Sequence, residues 1–248
     1  LARLTPSLEP VELRFGDVLY DAEAPIESVC FPERGVVSLL SVMADGTGIE
    51  TGTVGPEGMA GMAVFHGVGW AADHAYVQVP GAGHRIAADA FRAALPDCPA
   101  LAAALHRYAQ ALYTLAAQTS GCNRKHTMHQ RCARWLLLVH DRAGDDAFPL
   151  THAVLSQMLG VRRATVTEAA GALQEVGAIA YARGPKKLPC AQAAGRSTSA
   201  MRVASRSMRS ACSRRIARAS SSMTGPTSVD SRPGSPTVSS AIAPASMC

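Results

Sequence analysis

Along residues 10–90 the apolar positions come in short runs: "VELRF", "SVCFP", "GVVSLLSVM", "IETGTVG", "AYVQVPG" and "HRIAA". Between them lie "RFGD", "PERG", "ADGTG" and "VGPEGMAG". Runs this short, separated by Gly, Pro and Asp, predict the strands of a small barrel or sandwich. From Ala88 the period changes. Leu101, Leu105, Tyr108, Leu112 and Leu115 recur at steps of three and four, which predicts a helix of about 20 residues or more with one apolar stripe. Such a stripe is either the seam of a homodimeric coiled coil or the face that covers the chain's own barrel. "HTMHQRCARWLLLVHDRAG" predicts a second helix with Trp135, Leu136 and Val139 turned inward, and "DRAGDDAFPL" a turn after it.

The stretch "THAVLSQMLGVRRATVTEAAGALQEVGAI" then divides into two helices. Thr151 is suited to cap the first, since its hydroxyl can accept from first-turn amides. Gly160 is suited to the left-handed position that ends it. Val166, Ala170 and Leu173 give the second helix an apolar face at spacings of four and three. A short helix, a Gly-containing turn and a helix that opens with Arg162 and Arg163 form a helix–turn–helix pattern. There a guanidinium can fork onto the two acceptors of guanine or clamp a phosphate. Thr165 and Thr167 can offer hydroxyls to phosphates beside the helix N-terminus. An ordinary helical hairpin with an exposed Arg pair would give the same text.

Charge changes this picture by its placement. The chain carries +5 overall, yet residues 184–248 hold 10 Lys/Arg against the single acidic Asp230. Residues 1–183 keep 14 basic and 18 acidic side chains, a net of −4. DNA binding therefore has to rest on local Arg placement rather than on bulk charge. The seven cysteines are odd in number and form no CxxC pair, which points to reduced thiols and away from a zinc or iron–sulfur site. No apolar run approaches the roughly 20 residues of a membrane span, and no leader pattern is visible. The expectation is a cytoplasmic protein with no membrane partner, no cofactor and no metal. His126 and His129 lack further ligands nearby, and no nucleophile–base spacing is present, so an enzyme is not expected.

The segment "LTHAVLSQMLGVRRATVTEAAGALQEVGAIAYARG" resembles the winged helix–turn–helix of the Crp–Fnr superfamily of bacterial transcription regulators, and the order of the preceding segments is similar to that family over roughly residues 1–183. The resemblance implies an α+β chain: a jelly-roll-like β-roll sensor of the cyclic-nucleotide-binding type at 1–98, a dimerisation helix at 99–122 and a helix–turn–helix domain at 123–184. It implies a homodimer on double-stranded DNA with a two-fold symmetric operator, with RNA polymerase left open as a further partner. Arg163 falls on the family's main base-reading arginine and Thr165 on its threonine. Ala164 stands where many members have a glutamate that contacts cytosine, and Glu168 where a well-known member has a second base-reading arginine. The expected DNA-contacting set is Arg162, Arg163, Thr165, Thr167, Glu168 and Thr151. A ligand-sensing roll whose output domain is degenerate and acts through protein contact is the alternative function.

The family's cyclic-nucleotide cassette has a Gly-Glu turn and an Arg-Ser pair that neutralises the cyclic phosphate. Glu57 and Gly58 are the candidates for the turn, but the pair reads Asp73-His74, and an Asp repels a phosphate. A cyclic nucleotide is thus disfavoured and the small-molecule ligand stays unknown. His66, His74 and His84 could ligate a haem, but a lone barrel histidine is more often structural. Residues 185–248, with 15 Ser in the 65 residues from Gly184 and no aromatic, are too poor in core-forming side chains to offset chain entropy. They are expected to be a disordered basic arm or the product of a frameshift near codons 183–190. Pro185 and Pro189 would then interrupt the wing strand.

Overall fold

A computed structural model describes residues 4–145, 147–180 and 200–203. The N-terminal half is one curled antiparallel sheet of β1 (Glu9–Leu13), β2 (Val18–Tyr20), β3 (Ser28–Val42), β4 (Gly48–Val54) and β5 (Asp73–Ala87). Its order is β1-β5-β3-β4, with β2 also pairing with β5. The short helices α1 (Met62–Phe65) and α2 (Ala88–Ala94) close its ends. Val29, Val37, Val54, Met59, Val77, Ile86 and Phe91 fill the interior of this roll.

The strands are fewer and longer than the apolar runs suggest. "SVCFP" and "GVVSLLSV" are one strand, β3, and "AYVQVPG" and "HRIAA" are one strand, β5. "PERG" is therefore not a turn between strands. It is a set of register shifts in β3 between Pro32 and Val37, which bend a continuous ladder so that it can curl. Gly35 sits at this bend with φ +91°, where a Cβ would lie 2.6 Å from the Val79 carbonyl oxygen. Glycine in a strand reads as a turn in the sequence, and here it marks close approach of two backbones.

α3 (Pro99–Lys125) crosses the roll. Leu105 and Tyr108 belong to the roll's core, and Leu101 and Leu112 pack on it. Of the two uses open to this stripe, the structure takes the second: it covers the chain's own sheet. Two residues, His126 and Thr127, lead to α4 (Met128–Ala143). Thr127 accepts from the Gln130 amide while the Gln130 side chain accepts from the Thr127 amide, a capping box that fixes the entry of α4.

The C-terminal half continues through β6 (Ala147–Pro149), α5 (His152–Leu159), α6 (Arg163–Glu175), β7 (Ile179–Ala180) and β8 (Ala200–Val203). These strands form an antiparallel sheet of order β6-β8-β7. The stretch 200–203 thus stands as a wing strand, against the expectation that the tail leaves that place empty; the rest of the expected disordered tail lies outside the described residues. Val36, Leu40 and Val79 of the roll share one core with Trp135, Leu136, Leu155, Met158 and Val166. The two halves are joined by apolar packing as well as by the α3–α4 link.

Candidate nucleic-acid interface

α5 begins where its cap allows. The Thr151 hydroxyl accepts from the Val154 amide at 3.1 Å. It ends at Gly160, whose φ of +61° suits a residue without Cβ. The Gly160 amide donates to the Gln157 carbonyl and that of Val161 to Ser156. The chain then turns into α6, with Arg162 as its N-cap residue. Val166, Ala169, Ala170 and Leu173 are buried against Leu155, Met158 and Leu159. With that face closed, Arg162, Arg163, Ala164, Thr167 and Glu168 are left exposed and Thr165 half-buried. Neither guanidinium of the pair is drawn into the fold, so both are presented at the positive end of the helix.

The other expected contacts are placed differently. Thr167 donates to the Arg163 carbonyl at 3.0 Å and lies 3.1 Å from Nδ1 of His152. Its hydroxyl fastens the start of α5 to α6, a role that the sequence reading assigned to phosphate contact. Thr151 is occupied as a cap. His152 was missed, since a histidine in the first turn of a helix carries no signal for a partner 15 residues on. α4 holds this pair of helices in place: Arg131 donates to the Leu159 carbonyl at 2.6 Å and to Asn123 of α3 at 3.0 Å.

Two further bonds tie α4 to the roll. Trp135 Nε1 donates to Glu50 Oε1 at 2.6 Å, and Ser38 Oγ donates to Glu50 Oε2 at 2.7 Å. Burial pushes the Glu50 carboxyl up to about 7, although both donors and the nearby Arg142 and Arg134 favour its charged form. Desolvation is the larger effect. Arg142 Nε donates to Glu57 Oε1 at 2.6 Å. Glu57 is thereby engaged with α4, and Gly58 lies so close under the Tyr108 ring that a Cβ would overlap it. Asp73 accepts from Tyr20 Oη at 3.3 Å, and His74 pairs with Asp21 at 2.8 Å. His66 packs against Phe65, and His84 lies 3.4 Å from Glu33. Among the described residues no three His, Cys, Asp or Glu side chains gather as a metal site, and no helix is long and apolar enough to cross a membrane.

A sensor-type β-roll, a long helix laid along it and an exposed helix–turn–helix define a β-roll regulator architecture. Residues 130–188 match the family model of the Crp-like helix-turn-helix domain. The fold is similar to FixK2 from Bradyrhizobium japonicum (15% identity, 85% of this chain and 96% of that one, TM-score 0.63). It is also similar to CLP, a c-di-GMP-responsive global regulator from Xanthomonas campestris (15%, 74% and 94%, TM-score 0.60). A third such structure is a Crp/Fnr-family transcriptional regulator from Thermus thermophilus (19%, 83% and 98%, TM-score 0.59). No curated protein sequence matches the chain. The chain carries a Crp-like DNA-binding helix–turn–helix domain, and its fold is that of the Crp/Fnr transcription regulators.

Proposed function

We propose that the chain is a cytoplasmic, non-enzymatic transcription regulator that binds a two-fold symmetric operator as a homodimer. The observation that carries this reading is the exposure of Arg162 and Arg163 on a helix whose opposite face is fully packed. Arg163 reads guanine through its two major-groove acceptors, Arg162 reaches a phosphate or a base, and Glu168 accepts from a cytosine amino group. Thr165 and the first turn of α6 approach the backbone. With the apolar stripe of α3 spent on the roll, a second copy would meet the opposite face. There Ala103, Gln110, Thr114, Ala117 and Gly121 are exposed on one line, and the small side chains among them let two helices come close.

The ligand that such a roll would sense is not a cyclic nucleotide on this reading. Asp73 and His74 occupy the place of the phosphate-neutralising pair, and both are engaged with Tyr20 and Asp21. Selection of duplex DNA from a random pool by the full chain tests the function. Enrichment of an inverted repeat with half-sites about one helical turn apart is expected. Salt-sensitive retention with no enriched sequence would overturn it.

A further inference from the structure

The C-terminal half of α3, together with β4, α4 and α5, walls an open cavity of about 460 Å³. Two buried groups on its lining residues, the Thr53 hydroxyl and Arg134 Nε, meet no hydrogen-bond partner among the described residues. Thr53 is only 2% exposed, so this is an interior hydroxyl. Arg134 places a terminal nitrogen on Thr119 Oγ1 at 3.1 Å, which leaves Nε unspent. Arg131, one turn earlier on α4, lines the same space. Buried donors without an acceptor cost about 1–3 kcal/mol each, so a cavity edged by them favours an occupant that accepts.

Glu50 is also on the wall, but its two oxygens are taken by Ser38 and Trp135. Burial holds it toward the neutral form near neutral pH. Two guanidinium groups against one carboxyl that is only partly charged leave the wall donor-rich and net positive. We infer that this junction between sheet and reading helices binds a small oxyanion, of the carboxylate or phosphate class, with Arg134 and Thr53 as its donors and Arg131 supplying further charge. The site is separate from the Glu57–Gly58 turn, which Arg142 and Tyr108 occupy. Occupancy follows from this geometry alone. That it alters operator binding rests on the reading proposed above, through α4 and α5, which line the cavity and carry or support the helix–turn–helix.

Trp135 lines the cavity and is one of two tryptophans in the chain, so Trp70→Phe leaves it as the sole indole reporter. The full chain with that substitution is titrated with inorganic phosphate, and separately with acetate, at constant ionic strength balanced with chloride. A saturable change in Trp135 emission is expected from at least one. Response to phosphate alone assigns a phosphate group, and response to acetate alone a carboxylate. Arg134→Met should weaken it about tenfold or more, the worth of one charge-assisted hydrogen bond. Thr53→Val, nearly the same shape, should weaken it several-fold and decides the matter if circular dichroism shows that Arg134→Met does not fold. No saturation with either anion, or an undiminished response in Thr53→Val, overturns the inference. The titration contains no DNA, so failure of operator selection would leave its result unchanged.

Discussion

The indole of Trp135 and the carboxylate of Glu50 meet at 2.6 Å across the boundary between the helix that supports the reading head and the sheet. Both ends of this bond are buried, so it is shielded from competing water and exposed to the full cost of desolvating a charge.

That cost should appear in the pH dependence of stability. The Glu50 carboxyl is raised from 4.5 to about 7 on folding, so the folded state resists its ionisation. The penalty is absent below the unfolded value, sets in as pH rises through it, and is complete above about 7, where it amounts to about 3 kcal/mol. Glu50→Gln keeps the shape, an acceptor for Trp135 and a partner for Ser38. Thermal melts should show the variant several degrees more stable at about pH 8 and little changed near pH 4. Equal differences at both pH values would refute the assignment.

Arg163→Ala removes an exposed side chain, so its melting temperature should match the parent within the ~0.5 kcal/mol typical of surface changes. Affinity for the selected operator should fall by about 1–3 kcal/mol, with relaxed preference at one base pair of each half-site. Binding isotherms on the selected site and on single-base variants measure both.

Thr167→Val deletes the hydroxyl between Arg163 and His152 while keeping the branch at Cβ. A loss of about 1 kcal/mol is expected in urea unfolding. A loss of DNA affinity with stability intact would instead return Thr167 to the phosphate-contacting role.

Gly58→Ala would force a methyl group into the Tyr108 ring. Either α3 lifts from the roll or Tyr108 leaves its rotamer, at a cost of about 1–3 kcal/mol. Denaturant unfolding followed by Tyr and Trp fluorescence should show an earlier midpoint.

The helix–turn–helix was legible because each of its signals is local: Thr151 as cap, Gly160 as terminator, and apolar spacing that leaves Arg162 and Arg163 outside. α3 was legible for the same reason, although which surface would cover its stripe was not. β3 and β5 were misjudged in length, since Gly35 at a bend and glycine in a turn look alike until the neighbouring strand is known. Glu50 gave no signal at all. In "GIETG" it reads as an exposed strand residue, and its burial depends on Trp135, 85 positions away. The engagement of Glu57 by Arg142 is hidden by the same separation.

The link between α3 and α4 is two residues long, and one of them is held by the Thr127 capping box. A span so short and so fixed has no slack in which the reading head could wander. Reorientation must come as a twist of α3 about its own axis or at the expense of that cap. The head therefore behaves as a crank on a shaft rather than a weight on a string, and a small turn of the shaft becomes a large sweep at Arg163.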